Sequence, residues 1–216
     1  MRTRRERVLT DDEIRAVWNA ALSTPYPFGP LVRLTMMLGQ RREEIAGATW
    51  SEIDLAAATW IIPKERYKTG AEHVVPLPRQ AVGLLKEVSK LCPKPEGADA
   101  AHFVFSTRPG SRFQGFTKCK ERLDTLSETS DWTIHDLRRT LRTGLSALRV
   151  DPDIAERVVG HVIGGVRGIY DRHSFFEEKR RALQRWADRL ATIVKQKPVS
   201  NGDAKTSNVA PFPLQA

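Results

Sequence analysis

The segment TIHDLRRTLRTGL, residues 133–145, has the pattern of a helix with an anion-binding pair of side chains in its first turns. Its first residue is a typical N-cap, which places His135 in the first turn and Arg138 three residues further along the same face. Free N–H groups at a helix N-terminus, an imidazole and a guanidinium all favour phosphate oxygens. Two further arginines in this segment, Arg139 and Arg142, add positive charge. A basic helix facing water explains the segment equally well in isolation.

Most of the remaining chain also has helical patterns, around one short region of β-type sequence. Apolar residues recur at helical spacing in residues 9–22 and 31–39, and the chain after Gln114 is almost entirely helical in pattern. The runs ATWIIP (58–63) and HVVPL (73–77) predict a hairpin. We therefore expect a mainly α fold with a small antiparallel β-sheet (α+β). In it, Lys68 lies close to the hairpin turn, and the run HFVFS, near residue 104, forms a further short strand.

Charge and cysteine content narrow the class of protein. The chain has 35 Lys and Arg against 26 Asp and Glu, a net charge of +9, which indicates a polyanionic partner such as nucleic acid or an anionic membrane surface. The apolar run near residue 35 is interrupted by Arg33, and residues 1–10 lack the apolar centre of a signal peptide. Two cysteines, Cys92 and Cys119, fit neither a disulfide framework nor a zinc site. We expect a cytoplasmic protein without metal or other cofactor.

Two other segments carry candidate functional side chains. In GQRREEI, Arg41 follows a glycine at a helix junction, and Glu44 is placed to pair with it at i,i+3. In GHVIGGVRGIYDRH, residues 160–173, His161 precedes Tyr170 in a glycine-rich stretch. A tyrosine hydroxyl has a pKa of about 10 and needs neighbouring groups to take its proton before it can act as a nucleophile. Histidines and arginines are suited to give that help.

Five motifs in this order resemble the catalytic domain of the tyrosine recombinase (phage integrase) family. They are GQRREEI, YKTGAEHVVPL, HDLRRT, VVGHV and VRGIYDRH. Each is weak alone, but the ordered set is specific, and the resemblance covers roughly residues 8–190.

The resemblance implies a role for each motif residue. It makes Arg41 and Arg138 the two catalytic arginines, with Glu44 as the acidic residue that supports the first. The remaining catalytic residues would be His135, His161, the hairpin lysine Lys68 as general acid, and Tyr170 as nucleophile. Arg139 and Arg142 are expected to contact DNA.

The implied activity is site-specific DNA recombination by a prophage or mobile-element integrase, through a 3′-phosphotyrosyl intermediate and without a cofactor. The implied partners are double-stranded DNA attachment sites and other protomers on that DNA, in a tetrameric synapse, with no membrane. Residues 1–9 are interpreted as a basic linker or arm, 10–195 as the catalytic domain and 196–216 as a disordered tail. The family's usual N-terminal core-binding domain has no counterpart in these residues, so we expect weak DNA binding by this chain alone.

Other interpretations stay open on the sequence alone. A non-catalytic DNA-binding regulator would use residues 137–149 and 152–159 as a helix-turn-helix pair. A type IB topoisomerase would share the chemistry and relax supercoiled DNA. A metal hydrolase would bind its metal through His135, His161 and His173 with Asp136 or Asp171. These residues do not have the spacing of an HExxH-like motif, which disfavours this interpretation. The final helix, after Tyr170, could pack on a partner protomer or on its own domain.

Overall fold

The computed structural model describes residues 6–94, 100–161 and 175–196. Within these residues the chain is mostly helical with one small sheet, which confirms the predicted fold class. The helices are α1 (Asp11–Ser23), α2 (Phe28–Leu38), α3 (Arg42–Ala46), α4 (Arg79–Val88), α5 (Phe116–Ser127), α6 (Ile134–Ala147), α7 (Pro152–Val158) and α8 (Phe176–Lys195). The strands are β1 (Ile53–Asp54), β2 (Thr59–Ile62) and β3 (His73–Pro76). Nearly all of the predicted tail, residues 197–216, lies outside the described residues.

The sheet is antiparallel with strand order β1-β2-β3. The predicted hairpin of β2 and β3 is confirmed, with Trp60 opposite Val75, and β1 is an addition that the sequence did not indicate. The connection between β2 and β3, residues 63–72, is longer than a tight hairpin turn and carries Lys68. The expected strand near residue 104 does not form, since Phe103 makes only an isolated bridge with Thr49.

Local hydrogen bonds decide where three of the helices begin or end. At the start of α1, Thr10 and Glu13 form a reciprocal capping box. At the start of α6, the main-chain N–H of Thr133 donates to the Asp136 carboxylate at 2.8 Å. Helix α2 ends at Gly39, whose φ of 63° lies in the left-handed region that glycine adopts without strain. The chain turns there and leads directly into α3.

Helix α8 packs on its own domain, which decides between the two arrangements that the sequence left open. Its apolar face contacts α1, α2, α6, α7 and β3. Leu183, Leu190 and Ile193 are almost completely buried, and Trp186 Nε1 donates to the carbonyl oxygen of Met36 at 2.7 Å. No helix within the described residues combines the length and the apolar composition needed to cross a bilayer.

The contact between α6 and α8 depends on a glycine. A Cβ built on Gly144 would lie 2.1 Å from the Trp186 ring, and the hydrogen bond to Met36 keeps that ring from moving away. Helix α4 offers a matched position, because a Cβ on the exposed Gly83 would meet nothing within 4 Å.

We predict that Gly144→Ala lowers the free energy of unfolding by about 1–3 kcal/mol, because the extra methyl group overpacks a rigid contact. Gly83→Ala should instead raise it by about 0.5–1 kcal/mol, the gain expected when alanine replaces glycine within a helix. Urea unfolding of both variants measures the two changes. A stabilised Gly144→Ala protein would contradict the close approach of α6 to Trp186.

Candidate active site

Arg138 points from α6 into the protein, and only 3% of its surface is exposed. Its Nη1 donates to the carbonyl oxygen of Gly39 at 2.8 Å, and its Nη2 donates to that of Val159. These carbonyls follow the C-termini of α2 and α7, where the helix dipole favours a cation. Burial and the charge of Arg41 lower the pKa of Arg138 to about 10. The guanidinium therefore remains protonated at neutral pH.

Arg41 is held immediately before α3 by the carboxylate of Glu44. The main-chain N–H of Arg41 donates to one carboxylate oxygen and Nη1 donates to the other, both at 2.8 Å. The Glu44 side chain is buried, and that of Arg41 is 20% exposed. Burial alone would lower the pKa of Arg41, but hydrogen bonds to Glu44 and Tyr67 raise it above its ordinary value. The Arg41–Glu44 pair predicted from the spacing is present.

His135 lies in the first turn of α6 with three arginines around it. Partial burial, then the charges of Arg139 and Arg138, and to a smaller extent that of Arg41, hold the pKa of His135 below its ordinary value. The Asp136 carboxylate opposes this effect without cancelling it. At neutral pH the imidazole is therefore mostly neutral and can accept a proton.

Two clefts share His135 in their walls. The larger, of about 740 Å³, is also lined by Arg41 and Lys68. The smaller, of about 480 Å³, is also lined by Arg138 and His161. Five of the six catalytic residues predicted from the sequence thus border these paired clefts. The sixth lies outside the described residues.

His161 follows the left-handed Gly160 at the end of α7 and is oriented by a carboxylate. Its Nδ1 pairs with Oε2 of Glu156, one turn earlier, and Oε1 of the same carboxylate accepts from Arg142 Nε at 2.8 Å. Burial alone would raise the pKa of Glu156, but the hydrogen bonds to His161 and Arg142 lower it. This arrangement leaves Nε2 as the ring nitrogen of His161 that is not engaged by Glu156.

The two arginines expected to contact DNA both border the smaller cleft. Each has an acidic partner in the fold: Arg139 pairs with the fully buried Asp136, and Arg142 with Glu156. Their orientation is thus set by the protein, and part of their charge is balanced.

The carbonyl groups at the C-terminus of α7 accept hydrogen bonds from several parts of the chain. A helix leaves its last carbonyls without partners inside the helix, so side chains or water must supply donors. Gln40 Nε2 donates to the carbonyl oxygen of Val158 at 2.9 Å, and Arg138 Nη2 donates to that of Val159. The Tyr67 hydroxyl donates to the carbonyl oxygen of Gly160 at 3.0 Å.

Sequence reasoning missed three residues that shape this site: Gln40, Tyr67 and Glu156. Gln40 and Tyr67 each precede a motif residue, and this adjacency was the only local signal. Glu156 lies five residues before His161, a spacing that by itself indicates no pairing. No group of three or more His, Cys, Asp or Glu side chains in the described ranges is close enough to hold a metal ion.

A buried histidine lies against the site and makes the fold sensitive to acid. His73 is 8% exposed, and its Nε2 has no hydrogen-bond partner among the described residues. Burial, then the charge of Lys179, lower the pKa of His73 to about 3. The folded state therefore resists a proton that the unfolded chain takes up below about pH 6.5.

We predict that the stability due to neutral His73 is lost as the pH falls from about 6.5 towards 3. Between pH 7 and pH 4.5, wild-type protein should lose about 2–3 kcal/mol more of its free energy of unfolding than His73→Phe, which keeps a ring and cannot titrate. Urea unfolding of both proteins at the two pH values gives this difference. Equal losses would show that His73 is protonated in the folded protein.

Comparisons with known proteins agree with the motif order and the fold. The profile of the phage integrase family matches residues 7–177. The chain is 32% identical over 164 residues to the prophage integrase IntZ of Escherichia coli (strain K12), covering 76% of this chain and 39% of that protein. It is 31% identical over 151 residues to IntA of the same strain, covering 68% of this chain and 35% of that protein. The chain therefore spans less than half the length of these relatives.

Among solved structures, the Tn1549 transposon integrase in complex with a circular intermediate DNA superimposes with a TM-score of 0.62 at 18% identity. The match covers 85% of this chain and 67% of that one. At this identity the likeness shows the fold alone. The family is shown by the profile match, which extends over most of the sequence. The chain belongs to the phage integrase family.

Proposed function

We propose that this chain is the catalytic part of a site-specific DNA recombinase that cuts and rejoins strands through Tyr170. The observation that carries the proposal is the close placement of two guanidinium groups, Arg41 and Arg138, at the paired clefts around His135. Burial, and after it the positive charge of Arg41, lower the pKa of Arg138, so the two guanidinium groups are close enough for Arg41 to repel the charge of Arg138. An anion such as a DNA phosphate relieves that repulsion when it binds between them.

The tyrosine content supports Tyr170 as the nucleophile. The chain has three tyrosines, and the structure describes two of them. The Tyr26 hydroxyl donates to Val104 O and accepts from Ser106 N, and burial raises its pKa to about 12. The buried Tyr67 donates to a main-chain carbonyl, and burial also raises its pKa. Neither hydroxyl is free to attack a phosphate, which leaves Tyr170.

The proposed cleavage step balances as follows. The Tyr170 oxygen attacks the phosphorus as the bond from phosphorus to the 5′ oxygen breaks, and a histidine takes the phenolic proton. Charge that grows on the non-bridging oxygens is stabilised by Arg41 and Arg138. Lys68 gives a proton to the departing 5′ oxygen. A 5′-hydroxyl then attacks the phosphotyrosine and reverses these steps, so that rejoining needs no ATP.

The two histidines are suited to different parts of this step. His135 is mostly neutral at neutral pH because its surroundings are positive, and so it is suited to accept the phenolic proton. His161 is paired through Nδ1 with Glu156, which orients the ring and leaves Nε2 to contact the phosphate.

We propose double-stranded attachment-site DNA as the partner, with several protomers assembling on it as a tetrameric synapse. Support comes from the relatives named as prophage integrases and from the DNA present in the Tn1549 integrase structure. Residues 10–195 would be the catalytic domain, consistent with the family match over 7–177. A protein that acts on such DNA would work in the cytoplasm.

The decisive experiment traps the covalent intermediate. The protein is incubated in EDTA with a nicked suicide DNA substrate, and denaturing gels detect the protein–DNA adduct. We predict an adduct with wild-type protein and none with Tyr170→Phe, although both bind DNA. Arg41→Lys should form it about 10²–10³-fold more slowly, since a lysine cannot present two parallel donors.

The matched control is Arg181→Lys, because Arg181 is an exposed arginine of α8 that borders a separate groove. It should react at the wild-type rate. DNA binding without an adduct in the wild-type protein would favour the regulator instead, and an adduct that persists in Tyr170→Phe would exclude Tyr170 as nucleophile.

The role proposed for Arg139 in DNA binding has a separate test. We predict that Arg139→Gln weakens DNA binding and reduces the slope of log K against log salt concentration by about 1, because one phosphate contact is lost. Arg180→Gln removes the same charge from an exposed ion pair with Glu177 on α8 and should leave the slope unchanged. Fluorescence anisotropy at several salt concentrations measures both.

A further inference from the structure

Tyr67 lies between the segments that carry the proposed catalytic residues. It precedes Lys68 and is buried, with 6% of its surface exposed. Its hydroxyl donates to the carbonyl oxygen of Gly160, directly before His161, at 3.0 Å. The guanidinium carbon of Arg41 lies 5.4 Å from the centre of its ring. One side chain thus contacts two catalytic segments and belongs to a third.

The fit between Tyr67 and Gly160 is close. A Cβ built on Gly160 would lie 1.5 Å from the Tyr67 hydroxyl oxygen, and the φ of Gly160 is +64°. Both facts require glycine at this position. The Tyr67 hydroxyl therefore occupies the space that the side chain of any other residue at position 160 would fill.

A second ring fixes the orientation of Tyr67. The His73 ring stacks on it with centroids 4.8 Å apart and planes inclined by 14°. His73 is itself buried, and Val158, on α7, accepts a hydrogen bond from it. The tyrosine ring is thus enclosed by Arg41 and His73, and its hydroxyl is directed towards Gly160.

We propose that Tyr67 is a positioning residue for strand cleavage, which holds the Arg41 guanidinium and the Gly160–His161 junction at a fixed separation. The proposal rests on the proposed function. The phenol donates its single proton to Gly160, and the Arg41 guanidinium lies over its ring. Without the hydroxyl, Arg41 keeps Glu44 but loses its link to the end of α7. The Arg41 guanidinium should then stabilise the transition-state phosphate less well, while its contribution to DNA binding stays nearly the same.

The test compares two tyrosines in the full chain. Tyr67→Phe removes one hydroxyl and keeps the ring contacts with His73 and Arg41. Tyr26→Phe is the matched control, because the Tyr26 hydroxyl is partly buried and makes two hydrogen bonds within the protein, to Val104 and from Ser106. For each protein we would measure the single-turnover rate of adduct formation across pH, the Kd for DNA and the Tm.

We predict that Tyr67→Phe forms the adduct about tenfold more slowly, with a Kd within twofold of wild type. Tyr26→Phe should lose at least as much Tm and react at the wild-type rate. Replacing Tyr67 by 4-aminophenylalanine, which restores a donor towards Gly160, should recover most of the rate. A Tyr67→Phe rate within twofold of wild type, or equal slowing in Tyr26→Phe, would overturn the proposal.

A measurement independent of catalysis separates this inference from the proposed function. In ¹⁵N-labelled protein the Nε–Hε signal of Arg41 should shift in Tyr67→Phe and stay in place in Tyr26→Phe. If wild-type protein binds DNA without forming an adduct, the proposed function fails, and an unshifted Arg41 signal would in addition overturn the contact with Tyr67. If the adduct forms and is insensitive to Tyr67→Phe, only the positioning role fails.

Discussion

The site depends on the need of the C-terminal carbonyls of α7 for hydrogen-bond donors. A helix cannot satisfy its last carbonyls internally, and those of a buried helix end have little access to water. In this protein the donors come from the residue before Arg41, from Arg138 itself and from the residue before Lys68. Satisfying one helix end thus brings three segments, distant in sequence, to residues 158–160, directly before His161. The requirements of folding and of the site are met by the same contacts.

The second constraint is electrostatic. Two arginines that share a site repel each other, and burial adds a desolvation cost. The fold offsets this with the Glu44 carboxylate for Arg41 and with helix-end carbonyls for Arg138. Both arginines therefore keep defined orientations without a bound anion, while Arg138 still has a lowered pKa. Such preorganisation is what stabilisation of a phosphoryl transition state requires, because the donors need not reorganise during the reaction.

Helix α8 packs against α7, the helix that leads to His161. Phe175 directly precedes α8, and the guanidinium carbon of Arg157, on α7, lies 4.0 Å from the centre of its ring. The apolar face of α8 is covered by the same domain, with Trp186 bonded to Met36. His161 and α8 therefore lie on one domain, and the sequence alone could not choose this arrangement over docking of α8 on a partner.

The sequence by itself determined the fold class, the hairpin, the α6 cap and the Arg41–Glu44 pair, because these follow from spacings of a few residues that local geometry fixes. The ordered motifs also predicted six catalytic residues, five of which border the paired clefts. Only the tertiary structure decided the roles of Gln40 and Tyr67, whose partners lie 118 and 93 residues away. Contacts over such separations arise from packing and from the demand for buried hydrogen bonds, and these leave no periodic pattern in the chain.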